Sequence, residues 1–193
     1  MYLSEPAPDD AVRALYQDDL SSYGYVMNLT RLWARRPELL QGYLDVRAAA
    51  MADSGLTDRE IALLVVVSAS TRHDSYCSLA WGARLADRAD TDTAAAVLGG
   101  DTARLPEREA ALAEWAAKVA GDPNGTTAAD VDRLREVGFD DAQILGATVF
   151  IALRMAFSTI NGALGAQPDH QLAEAAPASV LGAIDFGRPV AEK

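Results

Sequence analysis

The sequence predicts an all-α protein, on three observations. Apolar residues recur at helical spacing in one segment after another, no stretch shows convincing period-two alternation, and side chains able to cap a helix stand at the segment starts. Half of the 193 residues are hydrophobic, enough for one domain with a substantial core.

Each element follows from local signals. Asp9 or Asp10 caps a first helix after Pro8, turning Val12, Leu15 and Tyr16 inward. Pro37 suits the first turn of a second long helix carrying Leu40, Tyr43, Leu44 and Val46, and Ser54-Gly55 ends it. Thr57 opens the next. Its run Ile61-Ala62-Leu63-Leu64-Val65-Val66-Val67 is β-branched enough to imitate a buried strand, but the capped start and alanine-rich neighbours favour a central helix, apolar on all sides. Thr71-Arg72-His73-Asp74 interrupts it, and Asp74 or Ser75 caps a helix through Leu79, Ala80 and Leu85. A short alanine-rich helix follows Asp92. Pro106 starts another, with Ala110, Leu112, Trp115 and Val119 as core candidates, and Gly121 to Gly125 forms a turn cluster. Thr127 caps the following helix and Gly138 stops it. Asp140 or Asp141 begins the longest helix, which carries Ile144, Leu145, Val149, Phe150 and Leu153 and runs past Met155 towards Leu164. Residues 1–175 form the expected domain. The alanine- and proline-interspersed segment 176–193 is a C-terminal extension that drapes over a neighbour or lacks order.

Composition excludes several function classes. Twenty-eight acids against seventeen bases leave a net charge of −11 with no basic patch, which argues against nucleic acid as a partner. The N-terminus lacks both a basic and an apolar leader region, and the longest unbroken apolar run is far too short to span a bilayer. A cytoplasmic protein without a membrane segment is therefore expected. One cysteine excludes an intramolecular disulfide. Two distant histidines and that cysteine do not make a metal site, and no glycine-rich phosphate loop is present, so neither metal nor cofactor is expected.

The segment Asp74-Ser75-Tyr76-Cys77-Ser78-Leu79-Ala80-Trp81 resembles the Cys-x-Tyr-Cys-x-x-x-His redox motif of alkylhydroperoxidase D-like proteins. Asp74 stands in place of the first cysteine and Trp81 in place of the histidine. The likeness extends to Gly24-Tyr25-Val26-Met27-Asn28-Leu29, where Met27 replaces the usual proline, and to Arg36-Pro37-Glu38-Leu39-Leu40. It continues at Gly55-Leu56-Thr57-Asp58-Arg59-Glu60-Ile61, at Leu134 to Asp141 and at Leu164-Gly165, covering roughly residues 12 to 170. The pattern is that of the peroxidase-related branch, in a superfamily shared with carboxymuconolactone decarboxylases. The resemblance implies an alkylhydroperoxidase D-like helical bundle and assembly into trimers or hexamers. The family's redox cycle needs two thiols with a glutamate and histidine relay, and here the dithiol is gone.

Several residues are candidates for chemistry. Cys77 is a nucleophile, a soft wall of an apolar pocket, or a small buried hydrophobe. His73, four residues before it, either replaces the missing base or is a helix-end histidine bonded to backbone. Asp74 orients that imidazole, acts as a base, or caps a helix, and its carboxylate raises the pKa of a thiol beside it. Glu60 matches the family glutamate but also completes a capping box with Thr57. It lies about two residues farther from Cys77 than the family pattern expects, a rotation of roughly 200° on one continuous helix. Tyr76 and Trp81 line a pocket wall or pack in the core. Arg154, interrupting an apolar helix, needs a carboxylate partner or a substrate anion if buried, and Asn161 on the same helix is a possible substrate contact.

Three functions are compatible with these residues. The favoured one is a cofactor-independent acid–base enzyme, of lyase, decarboxylase or isomerase type, acting on a small organic molecule through His73, Asp74, Cys77 and Glu60. The others are a one-cysteine hydroperoxidase using external thiol and a catalytically inactive member that binds a ligand or partner. A homo-oligomer is expected in all three.

Overall fold

The computed structural model describes all of residues 1–193 and contains eleven α-helices and no strand. Helix α1 (Asp10–Tyr23) begins at Asp9, whose side chain accepts the Val12 N–H, and ends at Gly24 in the left-handed conformation. A short α2 (Asn28–Trp33) leads into α3 (Pro37–Met51). At the start of α4 (Asp58–Thr71) a full capping box joins Thr57 and Glu60. Helix α5 (Ser75–Arg88) is capped by Asp74 and α6 (Thr91–Leu98) by Asp90. Pro106 precedes α7 (Glu107–Gly121), Thr127 caps α8 (Ala128–Glu136), and Asp140 caps the 23-residue α9 (Asp141–Ala163). Two short helices, α10 (His170–Ala175) and α11 (Ala178–Gly182), complete the chain.

Helix α4 is the axis. Residues Ala62 to Ala69 are all buried because α5, α6, α7 and α9 pack around it, so its valines meet side chains on every face. Tertiary burial thus overrides the strand-like propensity of the run. Helix α9 is long and apolar enough to cross a membrane by composition, yet it packs on α3, α4 and α7 and turns Arg154 and Asn161 into the interior. It is a wall of the bundle.

Val46 on α3 and Leu145 on α9 are 52% and 65% exposed, so the adjoining helices α3 and α9 each keep an apolar residue on the surface. The segment 176–193 packs back on the body of the chain. Val180 is fully buried, α11 packs on α5 and α6, and the Arg188 guanidinium donates twice to the Gly162 carbonyl, at 2.8 and 3.1 Å. Ser75 Oγ donates in return to the Arg188 carbonyl at 2.7 Å.

Close backbone approach sets how α3 and α9 meet. A Cβ on Gly146 would lie 2.6 Å from the Ala50 carbonyl oxygen, which only a backbone shift relieves. Gly146→Ala is expected to destabilise the fold by about 1–3 kcal/mol, read as a lower chemical-denaturation midpoint, whereas Gly42→Ala, with open space at its Cβ, should leave that midpoint within about 0.5 kcal/mol or raise it.

Candidate functional site

The chain reverses between α4 and α5 through His73, a non-glycine residue in the left-handed region at φ 53°. That reversal frees the Asp74 side chain to cap α5, with Oδ1 accepting the N–H groups of Tyr76 at 3.0 Å and Cys77 at 3.2 Å. Cys77 therefore sits in the first turn of α5, facing α9. Arg154 Nη2 donates to its Sγ at 3.2 Å and Ser158 Oγ donates at 3.6 Å. Spacing explains the pairing, because Arg154 and Ser158 are four residues apart and share one face of α9.

Beyond the thiol lies a cavity of about 330 Å³ enclosed by α1, α2, α3, α5 and α9. Tyr43, Tyr76, Trp81, Arg154 and Phe157 form walls around Cys77. Trp33, behind them, stacks on Phe157 with ring centroids 5.2 Å apart and planes 8° apart, and Tyr43 stacks on Phe157 at 5.0 Å. The Arg154 guanidinium lies 5.3 Å from the Trp81 ring and 5.2 Å from the Phe157 ring. A second, more open cavity of about 410 Å³ borders the same cluster from the α4–α5 turn, and Asp74, Ser158 and Arg188 line it. Asp74, Cys77, Ser158 and Arg154 form a partition between the two.

Electrostatics at the partition favour a neutral thiol. Cys77 is only 3% exposed, and burial pushes its thiol up to about 12. Arg154 opposes that rise, Asp74 adds to it, and the Ser158 hydroxyl opposes it. Asp74 Oδ2 is buried without a hydrogen-bond partner. Arg154 is 5% exposed and forms no ion pair, and its Nε is also buried and unpartnered.

The remaining candidates separate from this cluster. Glu60 is buried, but its carboxylate is occupied: Oε2 accepts from Thr57 N at 2.8 Å and Oγ1 at 3.0 Å, and Oε1 accepts from Arg108 Nε at 2.7 Å. It begins α4, whereas Cys77 begins α5 after a tight reversal, so eleven residues of helix, about 16 Å, separate Glu60 from the turn. His73 is exposed, packs its ring on Phe186 at 5.3 Å, and lines the open cavity rather than the one beyond the thiol. Asn161 accepts from Trp33 Nε1 at 2.9 Å and lies behind the aromatic stack. Tyr76 presents its ring to the cavity while its hydroxyl donates to Asp169. Asp169 in turn accepts the Asn28 N–H at 2.8 Å. Sequence reasoning passed over Ser158, Phe157 and Tyr43. Helical spacing from Arg154 points to the first two, and no local signal marks the third.

No family model matches this sequence, and no curated protein matches it. The fold does have solved counterparts. The structure is similar to the alkylhydroperoxidase AhpD core of an uncharacterised peroxidase-related protein from Ralstonia eutropha, at 25% identity and a TM-score of 0.78, covering 89% of this chain and 93% of that one. A peroxidase-related protein from a Silicibacter species matches at 21% identity and a TM-score of 0.73, over 86% and 91% of the two chains. The debrominase Bmp8, solved as a cysteine-to-alanine variant with 2,3,4-tribromopyrrole, matches at 15% identity and a TM-score of 0.69, over 95% and 96%. The all-α fold is that of the alkylhydroperoxidase AhpD core, and the structure is similar to solved peroxidase-related proteins of that fold.

The buried thiol has a measurable consequence for stability. An unfolded cysteine ionises near 8.5, while folded Cys77 stays protonated towards 12. Between those values the folded state binds more protons, so its stability falls as pH rises, by up to about 1.4 kcal/mol per pH unit. Burial also pushes the Tyr76 hydroxyl up, which extends the loss above about 10. Cys77→Ser is expected to flatten the stability curve between about pH 8.5 and 10 relative to wild type, as read by urea denaturation across that range.

Proposed function

We propose that this protein is a cofactor-independent acid–base enzyme acting on a small organic molecule, with its chemistry gathered in Asp74, Cys77, Arg154 and Ser158 rather than in His73 and Glu60. The observation that carries the reading is the partition itself, a carboxylate with a free buried oxygen beside a neutral thiol at the wall of an aromatic cavity. Asp74 accepts the Cys77 proton, and the resulting thiolate is held by the Arg154 Nη2 and Ser158 Oγ donors. The thiolate then removes a proton from the bound molecule and becomes the neutral thiol again, while Asp74 keeps the proton it took at the edge of the open cavity. Returning it to another carbon is an isomerisation, and delivering it after loss of carbon dioxide is a decarboxylation. Burial of Cys77 and Arg154 strengthens the electrostatic contacts between them. The debrominase neighbour, whose cysteine-to-alanine variant was solved in complex with 2,3,4-tribromopyrrole, supports the reading of this fold as one that takes a compact molecule.

Peroxidase chemistry of the two-thiol type is the less favoured reading, because Cys77 is the chain's one cysteine and Asp74 stands where a resolving thiol would be needed. The two are separated by deuterium incorporation from heavy water into a panel of small carbonyl, lactone and carboxylic acids, run beside peroxide consumption with an external thiol. Wild type is expected to catalyse exchange, with Asp74→Asn and Cys77→Ala losing about 100-fold or more and His73→Ala keeping full activity. Peroxide turnover abolished by Cys77→Ser and indifferent to Asp74→Asn would overturn the proposal in favour of a one-cysteine hydroperoxidase. Ligand binding with neither activity would favour the inactive binder.

The homo-oligomer is also proposed. Val46, Leu39 and Leu145 leave exposed apolar positions on α3 and α9, and an uncharged contact suits copies that each carry a net charge of −11. Light scattering is expected to give a multiple of 20.5 kDa, lowered by Leu145→Glu. A wild-type monomer contradicts the assembly.

A further inference from the structure

Arg154 holds the thiol with one nitrogen and leaves another, Nε, buried without a partner. We propose that the cavity beyond Cys77 takes a compact planar anion, an aryl or conjugated carboxylate, with its charge on Arg154 and its ring packed against the aromatic wall. The inference rests on the reading of this cavity as the active site and deepens it by naming the ligand class.

Charge distribution supports an anion. Arg47, Arg84 and Arg154 all border the cavity, and none of them is ion-paired, whereas Arg59, Arg108, Arg133 and Arg135 each hold an acid. In a chain with 28 acids and 17 bases, three unpaired guanidinium groups at one cavity concentrate positive potential there. Two acids border it as well, both on α1. Asp18 is exposed, and Asp19 accepts the Met27 N–H at 2.9 Å. Neither is paired with Arg154. Its flanks are ring faces, which attract a cation but supply no counter-charge.

Shape supports a flat ligand. The stacked Trp33, Phe157 and Tyr43 rings make a planar wall, and about 330 Å³ suits a single-ring molecule. Arg84 and Arg154 lie 4.5 and 5.3 Å from the Trp81 ring, and these cation–π contacts fix the indole in the cavity wall.

Benzoate is the probe and benzamide its uncharged isostere, titrated into the full-length protein with tryptophan fluorescence and calorimetry as readouts. Wild type is expected to bind benzoate at least about tenfold tighter than benzamide, and Arg154→Met to lower benzoate affinity about 10- to 100-fold while leaving benzamide unchanged. Arg154→Lys, which keeps the charge, is expected to retain part of the preference and carries the test if the methionine variant fails to fold by circular dichroism. Equal affinity for the two probes in wild type, or an undiminished benzoate preference in both variants, would overturn the proposal. Benzoate preference without any exchange activity sinks the acid–base reading alone. Exchange on uncharged substrates with no benzoate preference sinks the ligand class alone.

Discussion

A buried guanidinium without a carboxylate is the constraint around which this site is arranged. Arg154 projects from α9 into the space between α5 and the aromatic stack, where its contacts are a thiol and two ring faces. Burying a charge without a counter-charge costs several kcal/mol even after relaxation, and each cation–π contact returns only about 0.5–2 kcal/mol. The rest of the fold must hold that cation in place, and α4, sequestered on all sides, supplies the rigidity. Glu60 shows the contrasting solution on the same helix. It is equally buried, yet Arg108 and Thr57 use its whole carboxylate, so it fixes structure and has no oxygen free for chemistry.

Replacement of the first motif cysteine by Asp74 does more than remove a disulfide partner. An aspartate at a helix N-cap satisfies two backbone N–H groups of α5 and keeps a second oxygen in the interior. A negative charge there raises the neighbouring thiol, in the same direction as burial. The helix N-terminus and Arg154 act oppositely, but desolvation is the largest effect.

Local chemistry was readable from the sequence where it was self-contained. Asp9, Thr57, Asp74 and Asp140 cap helices through contacts within three residues, and such signals need no knowledge of the fold. Burial is less legible, because an apolar residue on the bare face of a helix, such as Val46 or Leu145, has the same spacing as one on its buried face. The tail escaped detection for a different reason. Much of its attachment runs through side-chain to backbone bonds, as from Arg188 to Gly162, which leave no periodicity. At the site, the sequence pointed to Cys77, Asp74 and Arg154 one by one, but only packing reveals that Arg154 meets the thiol, that Glu60 is tied elsewhere, and that His73 faces another cavity.

The most direct test of this account is the ionisation of Cys77 in the folded protein, followed as alkylation rate against pH with intact mass as the readout. The account predicts a thiol that stays protonated through neutrality, with slow alkylation that climbs only towards pH of about 12. An apparent pKa below about 8.5 would mean a thiolate stabilised at rest, and would contradict the neutral, buried resting thiol from which the proposed proton transfer begins.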